Sequence, residues 1–279
     1  MTIFPQLSIN SFELLGDIVT AAIKDNQIHK GCVMVEILYG YHPVREALRA
    51  GKRKILEICL ATGKSSPRVE DVASLAAAAH VPVNRVSMGR IAAMAATEAH
   101  QGICARVGPY AWSDLSRMLK TREGENLFLL LLDHVVDPHN IGALLRTAFC
   151  AGLNGVVITK DRSVQPTPAV SKASAGTMEH ISLTRVTNMV STIKTLKEYG
   201  LWMAGLDKHT GQSIYDSDLT GPLALIIGGE EKGIRPLVKK HCDLMVAIPQ
   251  VGDVDSLNAS VAGGVVMYEV YRQRESTLK

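Results

Sequence analysis

Leu127-Phe-Leu-Leu-Leu-Leu-Asp133-His-Val-Val-Asp-Pro-His-Asn-Ile-Gly-Ala-Leu-Leu-Arg146 sets the architecture of the chain. Its opening apolar run is far too short to cross a bilayer and suits a strand covered on both faces. Pro138 and Asn140 mark a turn and a helix cap, Gly142 permits close approach, and Arg146 falls two turns into the following helix. The alternation continues downstream. Apolar strand candidates at 155–158, 201–206, 223–227 and 244–248 alternate with helices at 141–151, 188–199, 235–241 and 256 to about 274, with Pro236 near a helix start. Residues 127–274 therefore read as an α/β domain, a parallel sheet with crossover helices.

Upstream, residues 36–108 read as a smaller α/β unit. Strands are expected at 35–39, 55–61, 83–86 and 102–107, and helices at 43–49, 69–79 and about 90–95. Gly108-Pro109 breaks that pattern, and residues 109–126 form a linker containing a helical stretch at 112–122. Residues 1–35 are an N-terminal extension with one short helix around 12–23.

Composition narrows the function classes. Of 279 residues, 47% are apolar and 20% charged, which excludes a disordered chain. No run is long enough for a membrane span, and the N-terminus has neither a signal-peptide nor a transit-peptide pattern. The five cysteines (32, 59, 104, 150, 242) contain no C-x-x-C pair and the histidines show no ligand spacing. No metal is expected, and the expected home is a reducing cytoplasm. The net charge of +3 is small, but residues 36–108 carry 10 Lys/Arg against 6 Asp/Glu, whereas residues 127–274 carry 14 against 14. The positive excess, clustered at Arg49, Lys52, Arg53 and Lys54, lies in the smaller unit and fits a weak hold on an anionic partner as well as an ordinary solvated face.

In open parallel sheets, ligands gather beyond the carboxyl ends of the strands. Three such ends carry unusual residues: the segment after Asp133, then Ile227-Gly-Gly-Glu-Glu-Lys-Gly233, then Ile248-Pro-Gln-Val-Gly-Asp-Val-Asp-Ser-Leu-Asn-Ala-Ser260. The glycines of the second let a ligand meet backbone N–H and C=O groups, yet they form neither a dinucleotide fingerprint nor a Walker loop. Either glutamate of the second could rest on a helix N-terminus, and Ser256 or Asn258 of the third could begin the last helix.

Taken together, the three segments resemble the signature motifs of the SpoU (TrmH-like) class of RNA ribose 2′-O-methyltransferases. The first matches through Asp133, Asp137, Pro138, Asn140, Gly142, Ala143, Arg146, Thr147 and Ala148. The second matches through Gly228, Glu230 and Gly233, and the third through Ile248, Pro249, Gly252, Ser256, Leu257, Asn258, Ser260, Val261 and Ala262. Gln250 and Ala259 depart from the usual residues. Upstream, Tyr39-Gly-Tyr-His-Pro-Val44 and His100-Gln-Gly-Ile-Cys-Ala-Arg106 resemble the ends of the family's small ribosomal-protein-like substrate-binding domain. Asp161-Arg-Ser163 and Leu183-Thr-Arg-Val-Thr-Asn188 resemble the branch that methylates a guanosine in large-subunit ribosomal RNA. Over residues 38–274 the resemblance implies a trefoil-knotted methyltransferase domain, S-adenosylmethionine as cofactor, ribosomal RNA as partner, and a homodimer with the site near its interface.

The residues then acquire implied roles. Gly228 suits a cofactor bent over glycines, and Ile248 and Leu257 would bind its adenosine through backbone. Transfer to a ribose hydroxyl needs oxygen, methyl and sulfur held in line and the hydroxyl proton removed. Arg146 is the family's usual catalytic residue; because a guanidinium stays protonated up to a pKa above about 12, it is better suited to gripping a phosphate and stabilising an alkoxide, with Glu230 or water taking the proton. Asn140 and Asn258 would orient loops or substrate, and Ser256 would touch either ligand. A transfer-RNA methyltransferase is the same-class alternative, disfavoured by the separate N-terminal unit. A non-catalytic RNA-binding or ribosome-assembly module is the other alternative; it would bind no S-adenosylmethionine.

Overall fold

Two sheets with different patterning carry the chain. The computed structural model describes residues 34–63, 66–252 and 256–277; the helix expected at 12–23, and Asp253 and Asp255 of the third loop, lie outside them. The first sheet contains β1 (Glu36–Tyr39), β2 (Ile55–Ala61), β3 (Val83–Val86) and β4 (Ile103–Val107), in the order β1-β4-β2-β3. β4 runs antiparallel to β1 and β2, and β3 parallel to β2. Strand alternation sends Leu38, Ile58 and Leu60 to one face, under α1 (Tyr41–Ala50) and α2 (Pro67–Ala78). The opposite face presents Cys59, Ala61 and Cys104 to α3 (Met88–Ala95). Ser66 and Ser87 cap α2 and α3 through their hydroxyls.

The connecting segment holds α4 (Leu115–Thr121), whose Met118 and Leu119 are buried. Tyr110 donates its hydroxyl to the carbonyls of Met178 and Ile181, at 3.1 Å each. Residues 109–126 are thus packed into the fold, and Val35–Lys279 groups as one compact unit.

The second sheet is wholly parallel and six-stranded, with order β10-β8-β9-β5-β6-β7. Its strands are β5 (Phe128–Asp133), β6 (Gly155–Thr159), β7 (Leu183–Val186), β8 (Trp202–Leu206), β9 (Leu223–Gly228) and β10 (Leu244–Val246). The aliphatic run of β5 is buried throughout because its two faces are covered separately. Leu130 and Leu132 pack with residues of α5 (Pro138–Cys150) and of the last helix, while Leu129 and Leu131 pack with α4 and α7 (Met189–Glu198). Each such fully buried leucine contributes about 1.5–3 kcal/mol.

Two elements escape the sequence reading. β7 is a short edge strand with Arg185 exposed, so it lacks the continuous apolar run of the central strands. α6 (Pro168–Ala173) is too short for a helical period to show. It packs so tightly on α5 that a methyl at Gly142 would overlap Ala173, the close approach this glycine was expected to permit. α8 (Pro236–Lys239) is shorter than expected but begins at its proline, and α9 (Ala259–Thr277) returns to pack on α5 and β9.

A buried ion cluster joins the two sheets. Arg53 is almost wholly buried; its Nε donates to the Gly108 carbonyl at 2.8 Å and its Nη1 to Glu179 at 3.1 Å, while Nη2 bonds Glu36. Ser171 of α6 donates to the same Glu179 oxygen at 3.2 Å. Burial raises the Glu179 carboxyl against the pull of Arg53.

Candidate active site

β5 and β9 are paired so that Asp133 lies opposite Gly228, and the chain turns away from the sheet at both. Asp133 is completely buried. It accepts from the Arg235 backbone N–H at 2.9 Å and from Arg235 Nε at 2.8 Å, which latches the glycine loop onto the end of β5. The loop itself is tight. Any side chain at Gly228 would overlap the backbone of Gly233 and Ile234, so only glycine fits there.

Beyond these strand ends lies a cavity of about 640 Å³. Gly228, Ile248 and Leu257 all line it, as do Glu230, Ser256 and Asn258. Its remaining wall comes from the loop after β8, through Leu206, Asp207, Lys208 and His209, with Lys239 of α8 paired to Asp207. The sequence reading missed this wall; the signal was the polar run that follows β8, a fourth strand end equivalent to the other three.

A hydrogen-bonded chain crosses the rim. Asn140 Nδ2 donates to Glu230, and Asn258 Nδ2 donates to Asn140 Oδ1 at 3.0 Å. Asn258 Oδ1 in turn accepts from the Ser260 N–H at 2.9 Å, the Ser260 hydroxyl at 2.6 Å and the Val261 N–H at 3.3 Å. Asn258 is therefore at once the cap of α9 and a member of the rim. Asn140 is not the cap of α5, contrary to expectation: Asp137 holds that place by accepting from the His139 N–H at 3.0 Å. Freed from capping, the Asn140 amide is almost fully buried between Glu230 and Asn258.

Arg146 stands apart from the other seven. It is exposed on α5, lines no part of the cavity, and forms no hydrogen bond or ion pair among the described residues. Its neighbour is the smaller unit. Burial and then the Arg68 guanidinium hold His42 of α1 below the ordinary histidine range, and Arg146 pushes in the same direction. Ser256 and Leu257 are exposed at the cavity wall, where their backbone and side chains are open to a ligand.

Among the described residues, no group of three or more His, Cys, Asp or Glu side chains is placed to hold a metal, and no helix is long and apolar enough to cross a membrane. The cavity instead suits an organic ligand with a flat polar body: glycine backbone at its floor, amides and a carboxylate at its rim.

A parallel α/β sheet with a glycine-floored cavity beyond its central strands, set beside a small mixed sheet, defines a two-part ligand-binding protein of the α/β class. Residues 127–268 match the SpoU rRNA Methylase family, and residues 37–113 match the RNA 2′-O ribose methyltransferase substrate binding family. The chain belongs to the SpoU rRNA methylase family. It is 42% identical to the 23S rRNA (guanosine-2′-O-)-methyltransferase RlmB of Pseudomonas putida over 86% of its own length and 98% of that protein. It is 38% identical to RlmB of Yersinia pestis over 86% of this chain and 98% of that one. Its fold is that of the SpoU methyltransferase AviRb from Streptomyces viridochromogenes, with a TM-score of 0.74 at 23% identity, covering 87% of this chain and 91% of that one.

Proposed function

We propose that this chain transfers a methyl group from S-adenosylmethionine to the ribose 2′-hydroxyl of a guanosine in 23S-type ribosomal RNA. The observation that carries the reading is convergence. Three residues assigned to the cofactor, Gly228, Ile248 and Leu257, line one cavity whose rim is the Glu230–Asn140–Asn258 chain. The cavity volume and its glycine floor fit S-adenosylmethionine, which when bound supplies an electrophilic methyl on a sulfonium that leaves readily. Relatives acting on 23S rRNA at about 40% identity over nearly their whole length support the substrate.

The protein's own part is positioning and proton handling. Glu230, hydrogen-bonded by Asn140, accepts the hydroxyl proton directly or through water in this reading. Asn258 fixes Asn140 from the other side, and Ser256 contacts cofactor or ribose from the loop. Arg146, free of protein partners among the described residues, grips the phosphate beside the target and stabilises the developing alkoxide.

The reading includes a homodimer, a trefoil-knotted C-terminal segment and action in the cytoplasm. α9 offers Val261 (53% exposed) and Tyr268 (49%) seven positions apart, in line with Leu257 (38%). This exposed apolar face, which starts next to the cavity wall, supports association beside the cavity mouth.

Two measurements test the reading. Calorimetry with S-adenosylmethionine should show one site per chain, and ribose-methylation maps of cells with and without the gene should differ at one guanosine of the large-subunit RNA. Absence of binding together with an unchanged map overturns it.

A further inference from the structure

The second face of the small sheet, covered among the described residues only by α3, holds a cavity of about 500 Å³ separate from the one above. Its apolar lining comes from Ile37, Cys59, Val86 and Met94. Three guanidinium groups, Arg85, Arg90 and Arg106, stand around it with a single carboxylate, Glu57. Both oxygens of that carboxylate are engaged: Arg106 Nη1 donates to one at 2.8 Å and Asn84 Nδ2 to the other at 2.6 Å. Arg85 and Arg90 are exposed, and their guanidinium groups have no hydrogen-bond or ion-pair partner among the described residues.

We infer that this cavity receives an unstacked nucleotide of the substrate RNA other than the methylated guanosine. An apolar floor flanked by guanidinium planes is the arrangement that stacks a nucleobase, and surplus fixed cations hold its phosphate. Asn84, oriented by Glu57, is left to present its carbonyl oxygen as an acceptor to the base edge, since no described group donates to it. Charge complementarity selects RNA over the chain's own N-terminal extension, because residues 1–33 carry only Lys24 and Lys30 against Glu13, Asp17 and Asp25. The inference rests on the methyltransferase reading and adds a second RNA contact that makes the smaller unit a reader of sequence or loop shape.

The test compares the full-length protein with Arg85→Ala/Arg90→Ala and Arg85→Lys/Arg90→Lys variants, using a transcript of large-subunit RNA and S-adenosylmethionine. The alanine variant is expected to raise KM for RNA about tenfold, leaving kcat and S-adenosylmethionine affinity unchanged. The lysine variant should recover only part of that loss, because an ammonium cannot stack or fork. Photocrosslinking of 6-thioguanosine-substituted transcript should mark peptides containing Ile37 or Met94. An alanine variant with KM within twofold of wild type overturns the inference, whether residues 1–33 or nothing fills the cavity; full rescue by lysine also overturns it, leaving diffuse charge. Wild-type methylation of the transcript is the internal reference, so failure of the methyltransferase reading registers separately as an inactive wild type.

Discussion

Asn140 joins two loops with one side chain: its amide nitrogen faces Glu230 and its oxygen faces Asn258. Asn140→Ala should lower the single-turnover methyl-transfer rate about 100-fold, since Glu230 loses its orientation, with a much smaller change in S-adenosylmethionine affinity by calorimetry. Gly228→Ala should do the reverse of a rate defect. With no room for a methyl against Gly233 and Ile234, the loop must shift, and calorimetric affinity for S-adenosylmethionine should fall by at least about tenfold. For Arg146, replacement by lysine separates electrostatics from proton abstraction. The rate should drop at every pH, and a near-normal rate with a new ionisation at the lysine would contradict the role assigned to the guanidinium. Residue types and spacing made these positions legible in the sequence, because Gly, Asn, Glu and Arg at strand ends have few other uses. The Asn140–Glu230 bond was not legible: its partners are far apart in the chain, and only the pairing of β5 with β9 brings them together.

Elements were readable to the extent that local patterning creates them. The central strands show as unbroken aliphatic runs because helices cover both faces, whereas β7 at the sheet edge has no such run and α6 is shorter than two helical turns. The mounting of the small sheet was invisible, since Arg53 reads as one member of a basic cluster until Glu179 is folded against it. Arg53→Ala should destabilise the protein by about 3–5 kcal/mol in urea unfolding, because it strands Glu179 in the interior. That loss should shrink toward acid pH: burial raises the Glu179 carboxyl, and the neutral acid needs no counter-ion. α1 makes a second tie through Glu46, which accepts from Arg45 at 2.5 Å and lies 2.8 Å from His180 Nε2. Burial pushes the Glu46 carboxyl up, but the His180 and Arg45 contacts outweigh it and leave the group below its ordinary value of 4.5. A lowered carboxyl stabilises the fold above that value and loses its contribution as pH falls through the folded value. Glu46→Gln should therefore lower the melting temperature near neutrality and flatten its fall in acid, as followed by thermal unfolding across pH.

At the scale of the whole molecule, the exposed face of α9 sets the expected assembly. Tyr268→Glu should shift sedimentation from dimer to monomer and reduce methyl transfer, while the small sheet, which shares no residue with that face, keeps its structure by circular dichroism. The side-chain oxygen of Asn258 starts the last helix, and the nitrogen of the same amide completes the rim of the cavity. Assembly of the reaction centre thus waits on the synthesis of residues 256–277: a nascent chain that lacks them holds every strand of the large sheet but an open rim.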